Sequence, residues 1–199
     1  MRNKIICMLY TFNSEWVKWG TKMLKSRMFF VVILWGFFVQ GKEIKMKKIT
    51  VTSTEFTQGG AIPSKYTCDG QNMNPPLSWE GVPAEAKSLV LICDDPDAPK
   101  GTWIHWILVN IPSNVRSLPE DVELAELGSA HELTTSFGKP GYGGPCPPSG
   151  KHRYYFKLYA LDKDLSLSNQ STLEDLHAAM QGYIVAEGAL MGTYSRAQK

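Results

Sequence analysis

At 199 residues the chain has room for one ordinary domain and an appendage, and its 43% hydrophobic and 20% charged content excludes a disordered or wholly membrane-embedded protein. The formal charge of +2 conceals a split: residues 1–45 hold eight Lys/Arg against two acids, a net +6, and residues 46–199 hold thirteen against seventeen, a net −4. The body therefore lacks the basic surface through which nucleic-acid binders grip phosphates, and no nucleic-acid partner is expected.

Met28 to Val39 is a charge-free run of twelve residues. That is shorter than the about 20 apolar residues of a spanning helix. It suits a signal-peptide core preceded by Lys22, Lys25 and Arg27, with Val39-Gln40-Gly41 as a weak cleavage site. A signal beginning near Met23 would leave residues 1–22 unexplained. The favoured reading is a misassigned start. Lys42-Glu43 can be encoded as a ribosome-binding sequence two codons before Met46, and Met46-Lys47-Lys48-Ile49-Thr50 is an ordinary opening for a cytoplasmic bacterial protein. The expected organisation is an N-terminal extension, 1–45, and one domain, 46–199. That domain is expected in the cytoplasm, with export or a retained anchor as alternatives if residues 23–41 are a working signal.

Along the body, Ile49 and Val51 alternate with polar residues and predict a short strand. Residues 57–87 are dense in Gly, Pro, Asn and Asp, which predicts ordered loops and short extended pieces. Ser88–Cys93 is a continuous apolar run, a buried strand. Ile104–Ile111 is a second and Arg153–Leu161 a third, with Tyr155, Lys157 and Tyr159 alternating against Tyr154, Phe156 and Leu158. Ser171-Thr172-Leu173-Glu174 has the capping-box pattern, and Leu173, Leu176, Met180 and Ile184 recur at helical spacing. Ala189–Tyr194 reads as a last strand. Strands outnumber helices and no βαβ alternation occurs, so the expected fold is mainly β, an antiparallel sandwich with a few short peripheral helices.

Three segments are too polar or too rich in Gly and Pro to be core. Asp94-Asp95-Pro96-Asp97-Ala98-Pro99 is a stiff, negatively charged turn, in which Asp94 and Asp97 are most simply solvated. Gly101-Thr102-Trp103-Ile104-His105-Trp106 carries a histidine between indoles. Gly141 to Tyr154 is a Gly/Pro loop that permits close backbone approach to a ligand and delivers His152 and Tyr154 to one face of a strand. Of the four cysteines none forms a CxxC pair, so a zinc ribbon or thioredoxin-type site is not expected. Cys93 reads as a buried thiol. A Cys68–Cys146 bridge stays open, conditional on an oxidising compartment.

In that order and spacing, Asp69-Gly70, Pro75-Pro76-Leu77-Ser78-Trp79, Asp95-Pro96-Asp97-Ala98-Pro99, His105-Trp106 and Gly144…Pro147-Pro148…His152-Arg153-Tyr154 resemble the phosphatidylethanolamine-binding protein family, also called Raf kinase inhibitor-like proteins, in its short bacterial branch. The resemblance runs from about Thr50 to Arg196. It departs at Asn74, where Ser is expected, and at Gly188. It implies two antiparallel sheets and an anion pocket lined by Asp95, His105, His152 and Tyr154, with Trp103 and Tyr142 at the rim. Backbone N–H groups around Gly144 would face the ligand, and Pro147 and Pro148 would hold the loop preorganised. Two imidazoles and a phenol would donate hydrogen bonds to phosphate oxygens, with Asp95 fixing a histidine tautomer.

The expected function is non-enzymatic binding of a small anion, such as phosphate or a phospholipid head group, with no cofactor. Protein-directed inhibition of a kinase or protease is one alternative, and a homodimer is compatible with the sequence. The other is an enzyme that uses Asp95, His105 and His152 as acid and base or as a metal site; no GxSxG, HExxH or P-loop supports it.

Overall fold

Backbone pairing collects the strands into two sheets in the computed structural model, which describes residues 46–196. The hydrophobic run at Met28–Val39 and every reading placed on residues 1–45 lie outside the described residues. The strands are β1 (Lys47–Lys48), β2 (Thr50–Thr52), β3 (Leu77–Glu80), β4 (Ser88–Asp95), β5 (Trp103–Pro112), β6 (Ser117–Leu118), β7 (His131–Glu132), β8 (Lys151–Leu161) and β9 (Ile184–Ser195), with one α-helix, α1 (Leu173–Met180). The larger sheet has the order β1-β9-β8-β4-β5-β7 and the smaller β2-β3-β6. The smaller sheet is antiparallel throughout. The larger is mixed, because β1 runs parallel to β9, which corrects the purely antiparallel expectation. Among the described residues no helix is long and apolar enough to cross a membrane.

The continuous apolar run of β4 is explained by its central place. Leu89, Leu91 and Cys93 enter the core shared with Val51, Leu77, Trp79 and Leu118 of the smaller sheet. Val90 and Ile92 enter a second core, closed by Leu176 and Met180 of α1. A strand buried on both faces needs no polar alternation. β8 shows the alternation expected of it, with His152, Tyr154, Phe156, Leu158 and Ala160 buried and the residues between them more exposed.

The Ile49–Val51 segment splits instead of forming one strand. β1 joins the larger sheet, Ile49 N donates to Glu187 O at 2.7 Å, and β2 joins the smaller. This crossing explains Gly188: a Cβ there would come 2.0 Å from the Ile49 carbonyl oxygen. The Asn74 departure is also structural. Asn74 is buried; its amide donates to the carbonyls of Pro75 (3.0 Å) and Pro119 (2.9 Å), and its oxygen accepts from Val122 N at 3.0 Å.

Helix α1 begins one residue later than the capping-box pattern suggested. Thr172 is the N-cap and Asp175, not Glu174, closes the box. The helix stops at Met180, and Ile184, counted as helical by its spacing, opens β9. Asp94 is not a solvated turn residue. β4 runs through it, it is 5% exposed, and its carboxylate pairs with Lys157 while Oδ1 has no hydrogen-bond partner.

Candidate ligand-binding site

Three chain segments meet at the end of β4, β5 and β8. β4 ends in Asp95, and Asp97 in the following turn is clamped by Arg153, which donates from Nε to Oδ2 at 2.9 Å and from Nη2 to Oδ1 at 2.6 Å. This fork–fork pair holds the Asp97 carboxyl down at about 2, chiefly through the hydrogen bonds from the guanidinium. It ties the acidic turn to the start of β8, beside His152.

His105 reaches the same place by a bulge. Cys93 pairs with Trp106 and Asp94 with Ile104, so His105 is the extra residue on β5. Plain alternation from Trp106 would turn His105 to the opposite face. The bulge re-aims it toward Tyr154, whose ring lies 5.2 Å away in an edge contact. His105 and Gly143 then hold each other: Gly143 N donates to His105 O at 2.9 Å, and His105 Nδ1 lies 2.5 Å from Gly143 O. A carbonyl only accepts, so Nδ1 carries the proton. Burial presses the His105 pKa below the ordinary value of 6.5, against the opposing pull of the Gly143 carbonyl and Asp95.

The second imidazole is fixed in the same way. His152 Nδ1 lies 2.8 Å from Asp95 Oδ2, and Asp95 Oδ1 accepts from Asp97 N at 2.8 Å. The Tyr154 side chain is fully buried. Its phenol is pushed well above the usual range by burial, then by the charge of Asp95 and a hydrogen bond to it. Asp95 therefore organises the turn, one imidazole and the phenol together.

These groups line a cleft of about 210 Å³ with Trp103, Phe137, Cys146, Pro147 and Pro148. Of the eight residues expected at the site, six (Asp95, Trp103, His105, Pro147, His152 and Tyr154) share this cleft. Tyr142 and Gly144 line a neighbouring cavity of about 200 Å³ instead. The Tyr142 hydroxyl donates to Tyr66 O at 2.9 Å, and Gly144 N donates to Asn72 Oδ1 at 2.8 Å, so that N–H is already engaged within the protein. Ala98, Pro99, Pro148 and Cys146 belong to segments the sequence had marked, but Phe137, in a Ser-Phe-Gly turn, carried no signal. Cys146 is joined to Cys68, the pairing the sequence left open, and the bridge fastens the Gly/Pro loop to the segment around Thr67. Cys93 is the buried free thiol expected of it.

Residues 52–195 match the family model described as phosphatidylethanolamine-binding protein. A UPF0098 protein of Methanothermobacter thermautotrophicus is 54% identical over 144 residues, which is 71% of this chain and 95% of the relative. Another, from Chlamydia trachomatis, is 48% identical over 151 residues, 73% of this chain and 98% of the relative. The crystal structure of a phosphatidylethanolamine-binding protein homologue from Chlamydia trachomatis superposes with a TM-score of 0.71 at 46% identity, covering 75% of this chain and 99% of that one. Escherichia coli YbcL, described as a new member of the mammalian family, gives a TM-score of 0.69 at 31% identity, with coverage of 75% and 99%.

Proposed function

This chain belongs to the phosphatidylethanolamine-binding protein family, and from that premise we propose that it holds the phosphate of a small phosphorylated ligand in the Asp95–His105–His152–Tyr154 cleft without transforming it. The two sheets serve as the halves of a sandwich whose shared core keeps the cleft rigid. The observation that carries the reading is the convergence on one cleft of two imidazoles whose Nδ1 atoms are both hydrogen-bonded to protein oxygens. Each presents Nε2 as its remaining polar atom. A neutral ring offers a lone pair there and a charged ring offers a proton. Oxyanion binding is therefore coupled to a proton, brought by the ligand as a P–OH group or taken up by a histidine.

Three features support binding over catalysis. The cysteine in the wall is tied up in a disulfide. The Tyr154 hydroxyl, its phenol pKa raised, is a poor nucleophile at neutral pH. The Asp95 carboxylate is engaged with His152 and Asp97 N, an arrangement suited to orienting a ring rather than to chelating a metal beside it. The bridge also favours an oxidising compartment over the cytoplasmic location expected from a Met46 start.

Titration calorimetry with phosphoethanolamine, paired with phosphorus NMR of the same mixture over a day, tests the proposal. Saturable binding with an unchanged phosphorus spectrum is expected. Release of inorganic phosphate would make the protein an enzyme.

A further inference from the structure

Phe137 is a large apolar side chain left 43% exposed, yet the turn that holds it is tightly wired. Thr135 N and Oγ1 both donate to Lys139 O, at 3.1 and 2.9 Å, and Gly138 N donates to Thr135 O at 3.0 Å. Ser136 is laced to Ile104 by two hydrogen bonds, one backbone to backbone at 3.1 Å and one from Ile104 N to the Ser136 hydroxyl at 2.9 Å. The ring stands edge-on to Trp103 and to His105, each with centroids 5.5 Å apart. Its other neighbour is Gly143, where a Cβ would meet Phe137 Cε2 at 2.3 Å. The fold thus keeps a glycine under an aromatic ring that it only half buries.

The ring stands between two cavities. It lines both the histidine cleft of about 210 Å³ and the neighbouring one of about 200 Å³ that contains Asn72, Lys139 and Tyr142. Among the described residues Phe137 and Cys146 alone line both, and Cys146 is fixed by its disulfide. We propose that Phe137 is a partition that sets ligand size. On this view, which rests on the phosphate reading above, the histidine cleft receives the phosphate and the ring blocks a bulky substituent from the second cavity. The favoured ligand class is a phosphate monoester with a short substituent. A pocket can reject a wrong ligand by placing a rigid group where that ligand must go.

Calorimetric titration of the full chain and of Phe137→Ala with inorganic phosphate, phosphoethanolamine and inositol 1-phosphate tests this. In the unaltered protein inositol 1-phosphate should bind about tenfold or more weakly than phosphoethanolamine, a steric penalty of ordinary size. In Phe137→Ala the gap should close to about threefold or less, while inorganic phosphate still binds. Phe137→Leu, which keeps apolar cover if the alanine variant fails to fold, should give an intermediate ratio. An unchanged ratio in a folded variant that still binds inorganic phosphate overturns the partition alone. Absence of binding by all three ligands overturns the phosphate reading and the partition with it.

Discussion

His152 Nδ1 stands 2.8 Å from Asp95 Oδ2 with both side chains buried, at 9% and 5% exposure. The residues lie 57 positions apart, on β8 and at the end of β4. A buried carboxylate facing an imidazole fixes the tautomer and the ring plane at once. Asp95→Asn keeps the shape but offers a neutral amide. The expected result is a His152 ring that exchanges between tautomers and phosphate binding weakened about tenfold, since a hydrogen bond to a charged group is typically worth about 1.5–3 kcal/mol. Nitrogen NMR of the ring and calorimetry read the two effects separately. An unchanged tautomer with unchanged affinity would reduce Asp95 to a turn former.

This pair shows what the sequence could and could not disclose. His152 and Tyr154 share a face because strands have a period of two, which two letters of sequence reveal. His105 joins them only through a bulge, and its Ile and Trp neighbours give no sign of an extra residue. Asp94 was misread because an Asp-Asp pair before proline has turn composition, whereas Lys157 on the neighbouring strand lets β4 carry a charge into a buried position. The capping box slipped by one residue because Ser171/Glu174 and Thr172/Asp175 both satisfy the pattern, and the fold uses the second, with Thr172 and Asp175 bonded reciprocally. Phe137 was invisible because its role arises from where a turn lands.

The pH dependence follows from two groups whose pKa values are both lower in the folded chain. His105 titrates below 6.5 when folded, so as pH falls below that value the unfolded chain takes up a proton that the folded chain refuses. Stability present above 6.5 is therefore lost as pH drops toward the folded pKa. Asp97, held at about 2 against an ordinary 3.8, contributes stability above 3.8 that disappears as pH falls through about 2. Phosphate should reverse the first trend, because binding requires the proton that the empty site resists. Calorimetry in buffers of different ionisation enthalpy should show net proton uptake at pH 7.5. Binding with no proton exchange would contradict the Nε2 argument.

Lys157→Ala should destabilise the fold by about 1–3 kcal/mol, because it strands the buried Asp94 carboxylate, one of whose oxygens already has no partner. Lys157 itself is partly solvated, at 34% exposure, which keeps the cost below that of a fully buried pair. Urea melts measure it, and Asp94→Asn combined with Lys157→Met should recover most of the loss. A destabilisation near zero in the single variant would mean that water reaches Asp94.

Cys68→Ser with Cys146→Ser should cost about 2–4 kcal/mol, the usual contribution of a bridge closing a long loop; this one spans 78 residues. The loop keeps its noncovalent fastenings, among them Cys68 N to Pro145 O at 3.2 Å and Gly144 N to Asn72 Oδ1 at 2.8 Å. The variant should therefore fold, melt earlier and bind phosphate more weakly. Thermal melts with and without a dithiol give the same comparison in the unaltered chain. Identical melts would show that the bridge does not form in solution.

The sharpest test of the site compares His105→Ala, His152→Ala and His177→Ala. The first two each remove a proposed contact to the phosphate and should weaken its binding roughly 10- to 100-fold, at about 1.4 kcal/mol per factor of ten. They should differ in stability. His105 is 3% exposed and locked to Gly143, so its loss leaves that carbonyl without its donor and should lower the melting temperature. Loss of His152 leaves a buried Asp95 carboxylate that still accepts from Asp97 N and Tyr154, and should cost less. His177 is exposed on α1, outside the cleft, and its replacement should leave affinity unchanged. Calorimetric titration with inorganic phosphate and thermal melts separate the two effects. If both cleft variants lose stability while keeping full affinity, the histidines are structural and the phosphate lies elsewhere.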